Sequence, residues 1–282
     1  MPPRVEQLAF EGAGVQLVGE RWTAQDPRGI VVLLHGGGQT RHSWKRTAER
    51  LAVAGWSAIA LDARGHGDSE WHAAQDYTLD GFVADLLALV ATLGEPPVLV
   101  GASLGGITAL VAAGEHPDGF RGLVLVDVVV QVEPAGRARI QNFMTAHQDG
   151  FASLDDVADA IAAYNPTRKR PPNLDGLRKN VRQHEDGRWY WHWDPAFMTI
   201  RDEPQRLTDP GRLRAAAARV RIPTLLVRGG QSDIVSDRGV ADMLTLIPAA
   251  ETIEIPAAAH MVAGDDNDVF ATSLEAFLDR LN

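Results

Sequence analysis

Apolar positions along the chain fall into two kinds of run. Residues 30–34, 57–61, 98–100 and 123–126 are unbroken apolar stretches of strand length, as expected of strands buried on both faces of a sheet. Residues 15–22 alternate apolar with polar positions, the pattern of an edge strand with one wet face. Between these runs, residues 43–54, 79–93 and 104–115 read as helices, the last stopped by His116-Pro117. This alternation predicts a largely parallel sheet with helices on both faces. It breaks over 130–219, which holds charged and alanine-rich helical stretches, a proline-rich piece at 166–172 and the cluster Trp189-Tyr190-Trp191-His192-Trp193, but no clear strand run. It resumes with strand-like 224–227 and 251–255 and helix-like 237–246 and 268–281. So long an interval is not a plain loop, and it is read as a helical subdomain spanning 130–219 inserted into a core of 1–129 and 220–282.

Composition narrows the function classes. The 282 residues include 27 basic and 37 acidic side chains, a formal charge of -10 that opposes binding to nucleic acid or an anionic membrane. With no cysteine, disulfides, thiolate catalysis and thiolate metal ligation are excluded. Residues 1–16 lack the apolar core of a signal peptide, and no uninterrupted apolar stretch reaches spanning length, so a cytoplasmic protein with no membrane partner is expected. The sequence carries no indication of oligomeric state.

Gly101-Ala102-Ser103-Leu104-Gly105 places a serine at the turn between an apolar run and a small-residue helix. A sharp strand-to-helix turn crowds its backbone, which calls for small residues two positions either side, while the apex side chain stands clear. The following helix aims its free N–H groups at the same point. Serine catalysis also needs a base and a carboxylate that orients it. His260 lies just past the last strand run, on the sheet edge expected to carry Ser103, and Asp233 directly follows the penultimate run. Asp127, ending the run at 123–126, is the alternative acid. Asp265 and Asp266 suit the start of the last helix.

The glycines of His35-Gly36-Gly37-Gly38 follow a central run and let backbone N–H groups approach a ligand. They point to an oxyanion hole made by the N–H of Leu104 with that of Gly37, or alternatively Gly38; no Gly-Lys-Ser/Thr follows to suggest a phosphate loop. His35 reads as a tie for this loop, and 62–69 as a tight structural turn. The other histidines show no paired metal-ligand spacing, so no metal or other cofactor is expected. Trp189, Trp191 and Trp193 alternate along an extended segment and, with Phe197, are candidates either for the insert's own core or for the wall of a substrate pocket.

Taken together these motifs resemble the α/β-hydrolase superfamily over nearly the whole chain outside the insert. The stretch from His35 to Trp44 is similar to the matching loop of cofactor-free haloperoxidases and related esterases. The resemblance implies an eight-stranded, mostly parallel sheet, a helical cap at 130–219, a triad of Ser103, Asp233 and His260, and Gly37 as oxyanion donor. It further implies a serine hydrolase acting on a small-molecule carboxylic ester or lactone with an apolar or aromatic group, through an acyl-enzyme on Ser103. Perhydrolysis, carbon–carbon bond hydrolysis by the same triad, and a non-catalytic small-ligand receptor are the alternatives. Epoxide hydrolases and haloalkane dehalogenases carry aspartate at the elbow, so Ser103 argues against both.

Overall fold

Each unbroken apolar run becomes a strand with every residue buried. In the computed structural model, which describes residues 3–165, 170, 173–199, 207–256, 258 and 268–281, the chain opens with β1 (Arg4–Glu11) and β2 (Gln16–Thr23), an antiparallel pair. Next come β3 (Ile30–Leu34), β4 (Ser57–Leu61), β5 (Val98–Ala102) and β6 (Gly122–Val126). A short hairpin, β7 (Val181–Gln183) and β8 (Trp189–Trp191), precedes β9 (Thr224–Gly229) and β10 (Glu251–Ile255). One eight-stranded sheet has the order β1-β2-β4-β3-β5-β6-β9-β10. It is parallel from β4 to β10 and antiparallel at β1 and β2. Strand β1 has no counterpart among the apolar runs, because its residues alternate between exposed and half-buried and none is fully buried. The β7–β8 hairpin corrects the expectation that 130–219 lacks strands; at three residues each, they are too short to show a period.

The helices are α1 (Lys45–Val53), α2 (Leu79–Ala91), α3 (Leu104–Glu115), α4 (Pro134–Thr145), α5 (Leu154–Tyr164), α6 (Pro210–Ala217), α7 (Asp237–Leu246) and α8 (Asp268–Asp279). Alternate residues of the central strands feed two cores, as a two-residue side-chain period requires. Val32, Ile59 and Leu99 join α2, α3, α6 and α7 on one face, whereas Val31, Leu33 and Val100 join α1 and α8 on the other. A third cluster, including Met144, Val157, Trp191 and Phe197, comes from the segment between β6 and α6 and packs onto Leu104, Tyr77 and Phe82. Among the described residues, no helix is long and apolar enough to cross a membrane.

Residues 62–69 join the segment around β7 and β8 to the sheet. Buried Asp62 accepts from the N–H groups of Arg41 (2.6 Å) and Asp68 (2.9 Å) and pairs with the Arg41 guanidinium. Arg64, fully buried, makes two 2.7 Å bonds to Asp85 of α2, a geometry that satisfies both ions away from water. Onto this braced loop the insert docks through Arg182 to the Gly67 carbonyl (2.9 Å), the Gly67 N–H to His192 Nδ1 (2.8 Å) and the Asp194 N–H to the Gly65 carbonyl (2.9 Å).

Candidate active site

Ser103 is the hinge between β5 and α3, at φ 46° and ψ −113°. This positive φ costs a non-glycine residue about 1–3 kcal/mol, a strain that the surrounding backbone must hold. The flanking glycines are required by contact as well as by shape. A Cβ on Gly101 would stand 2.4 Å from the Gly105 carbonyl oxygen, and one on Gly105 would stand 2.4 Å from that of Leu34. The Ser103 N–H donates to the Val126 carbonyl (3.2 Å) and the Gly105 N–H to that of His35 (3.1 Å), tying the turn to both neighbouring strand ends. Leu104 opens α3, so its N–H has no partner within the helix.

The glycine loop folds as a turn in which the Gln39 N–H donates to the Gly36 carbonyl (3.0 Å) and Gly38 takes φ 73°. This is the left-handed third position that a type II turn reserves for glycine. His35 Nδ1 donates to the same Gly36 oxygen (2.8 Å), while its Nε2 accepts from the Ala63 N–H (3.0 Å). Among the described residues, the N–H groups of Gly37, Gly38 and Leu104 have no acceptor.

These groups line a cavity of about 580 Å³ that also takes in Ser103 and Asp127. Of the aromatic candidates, Trp191, Trp193 and Phe197 stand on its wall beside Gly38, whereas Trp189 does not. Trp189 instead lies under the Arg178 guanidinium, 4.9 Å from its ring centre. Trp191 and Trp193 stack at 4.8 Å, and Phe197 sets its edge against His66 and Tyr77. Helix α4, not among the residues expected from the sequence, also contributes. Its Ile140, Phe143 and Met144 complete the wall, and their i, i+3, i+4 spacing was the signal available. Exposed Arg137 and Lys179 also line the cavity, in a chain of charge -10.

The two candidate acids differ in setting. Asp127 is 2% exposed, has φ 55° at the end of β6 beside β5, and lines the cavity. Its carboxylate accepts from the Gly229 N–H (3.2 Å) and the Ser232 hydroxyl (2.6 Å). Asp233 is half-buried and paired with Arg139 of α4 (2.9 Å), and it is not on the cavity wall. His260, Asp265 and Asp266 lie outside the described residues.

Three buried histidines, His35, His66 and His192, surround the loop from behind, with ring centres 5.4 and 5.9 Å apart. Burial pushes His35 down to about 4 and His66 to about 3, and holds His192 well below the ordinary imidazole value. All three are therefore neutral near pH 7. Among the described residues, no group of three or more histidine or carboxylate side chains could hold a metal ion. A serine on a strained turn at a helix N-terminus, beside unpaired N–H donors and at the edge of an apolar cavity, suits nucleophilic attack on a carbonyl carbon.

Comparison with known proteins places the chain in a family. A family model described as alpha/beta hydrolase fold matches residues 29–266. The chain is 33% identical over 234 residues to the esterase Rv0045c of Mycobacterium tuberculosis, covering 79% of this chain and 72% of that one. It is 27% identical over 250 residues to a 3-hydroxybutyrate-oligomer hydrolase of Cupriavidus necator, covering 83% of each. The crystal structure of an E-2-(acetamidomethylene)succinate hydrolase superposes with a TM-score of 0.83 at 23% identity, over 98% of this chain and all of that one, a likeness of fold.

Proposed function

This chain belongs to the alpha/beta hydrolase fold family, and from that premise we propose that it is a serine hydrolase cleaving a carboxylic ester or lactone through an acyl-enzyme on Ser103. The observation that carries this reading is the strained Ser103 turn on one cavity with Gly37 and Leu104, whose N–H groups have no acceptor among the described residues. His260 removes the hydroxyl proton as Ser103 Oγ attacks the carbonyl carbon. The oxyanion forms against the two N–H donors, and His260 then protonates the departing alcohol. Water, deprotonated by His260, attacks the acyl-enzyme and releases the acid and Ser103.

For the third member, the order of residues along the chain points to Asp233, but the settings of the two carboxylates favour Asp127. Asp127 is buried at the strand end next to Ser103 and held by two donors, as a carboxylate that orients an imidazole must be. Asp233 is engaged by Arg139. The insert acts as the cap. Its apolar wall of Trp191, Trp193, Phe197 and Met144 suits an apolar or aromatic acyl or alcohol group, and Arg137 and Lys179 suit a substrate that also carries a carboxylate. The test is a panel of esters and lactones on the purified protein. Hydrolysis is expected in the wild type and lost in Ser103→Ala with the fold intact; retained hydrolysis in that variant rules the mechanism out.

A further inference from the structure

From the cap side, His192 hydrogen-bonds the oxyanion loop at Gly38. His192 follows β8 in a buried position between the two cavity-lining tryptophans, Trp191 and Trp193. Its Nδ1 accepts from the Gly67 N–H (2.8 Å), so that nitrogen carries no proton, and Nε2 carries the proton that it donates to the Gly38 carbonyl (3.2 Å). The tautomer is set by the partners, and burial keeps the ring neutral.

Beyond Gly38 the bonds run in one direction. In a trans peptide, the C=O and the following N–H point opposite ways. The Gly38 carbonyl that receives the His192 proton therefore shares a rigid plane with the Gln39 N–H, which donates to the Gly36 carbonyl (3.0 Å). The Gly36 carbonyl in turn shares its plane with the Gly37 N–H, the donor proposed for the oxyanion. His35 donates to the same Gly36 oxygen from the core side (2.8 Å). Two donors on one carbonyl fix that peptide plane, and hydrogen bonds in series polarise one another, which strengthens the last donor.

We infer that His192 is a positioning residue for catalysis. Through the peptide planes of Gly38-Gln39 and Gly36-Gly37, it orients the Gly37 N–H toward the developing oxyanion, so that the cap takes part in setting the oxyanion hole. This rests on the Ser103 acyl-enzyme reading. It predicts an effect on transition-state stabilisation rather than on substrate binding.

Two substitutions divide the two bonds of His192. His192→Asn keeps an acceptor near the place of Nδ1, for the Gly67 N–H, and loses the donor to Gly38. His192→Gln keeps a donor near the place of Nε2 and loses that acceptor. The expected result for His192→Asn is a fall of about tenfold or more in kcat with KM little changed. A boronic acid that forms a tetrahedral adduct should lose affinity by a similar factor, while inhibition by the neutral product alcohol stays constant. His192→Gln should restore kcat to within about threefold of wild type. A folded His192→Asn enzyme with unchanged kcat and boronate affinity overturns the inference. So does a folded His192→Gln enzyme as impaired as His192→Asn. If His192→Asn fails to fold, His192→Gln carries the test alone: kcat near wild type supports the inference, and a large loss overturns it. Ser103→Ala in the same series separates the two levels. Turnover surviving that change overturns the acyl-enzyme reading and this inference together, whereas Ser103-dependent turnover indifferent to His192→Asn overturns this inference alone.

Discussion

The cavity has two sides built on different principles. On the sheet side, the elbow at Ser103 is set by backbone contacts, with carbonyls 2.4 Å from where a side chain would begin and peptide N–H groups tied to strand ends, and the turn at Gly36–Gln39 adds the bonds from His35 and His192. On the cap side, the wall is made of side chains from three elements, the stacked tryptophans at the end of β8 and just beyond it, Phe197 on a short helical turn, and Ile140, Phe143 and Met144 of α4. The sheet side supplies the chemistry and tolerates little change. The apolar wall on the cap side is expected to shape the substrate and, His192 apart, to be repacked at the cost of affinity rather than of mechanism.

Substitutions on the two sides should therefore differ in kind. The largest effect among them is expected at Asp127: Asp127→Asn lowers kcat roughly 10³-fold or more while leaving KM within a fewfold, and Asp233→Asn changes kcat less than about fivefold. Steady-state kinetics on one ester substrate distinguishes these, and the reverse ranking returns the acid role to Asp233. Next, Gly105→Ala puts a methyl group into the Leu34 carbonyl. It should lower kcat by about 10²-fold and stability by several kcal/mol, read by kinetics and denaturant unfolding together. Trp193→Ala on the cap side should raise KM for esters with bulky apolar groups by about tenfold and leave kcat for acetate esters nearly unchanged. If it removed kcat for every substrate alike, the division between the two sides would fail.

A separate effect is on stability against pH. His35 and His66 titrate in the folded chain near 4 and 3, below the 6.5 of an unfolded histidine. As pH falls below about 6.5, the unfolded chain takes up protons that the folded chain refuses. The stability these residues contribute is then complete above 6.5 and lost toward pH 4, at up to about 1.4 kcal/mol per pH unit for each. The thermal midpoint should drop over this window, and His66→Phe should reduce the drop.

How much of this was legible in the sequence follows the same division. Strands buried on both faces announce themselves as apolar runs, and β3 and β4 have the expected bounds to the residue. Strand β1 was hidden because one face is wet and the other only half-covered, leaving no apolar run. The elbow was readable because its glycines are demanded by local backbone shape. The choice between Asp127 and Asp233 was not, since it turns on burial and on the Arg139 partner, which lies 94 positions away. Likewise His192 is one of nine histidines in the sequence and gains its role only where the cap meets Gly38 and Gly67.

Everything proposed for this site depends on Ser103 being the nucleophile. The most direct measurement is covalent labelling of the wild-type protein with a fluorophosphonate, followed by intact mass and peptide mapping. One adduct per chain is expected, on Ser103, formed in step with loss of ester hydrolysis and absent from Ser103→Ala. Complete inactivation with the adduct on another residue, or full hydrolysis by a protein labelled at Ser103, would contradict it.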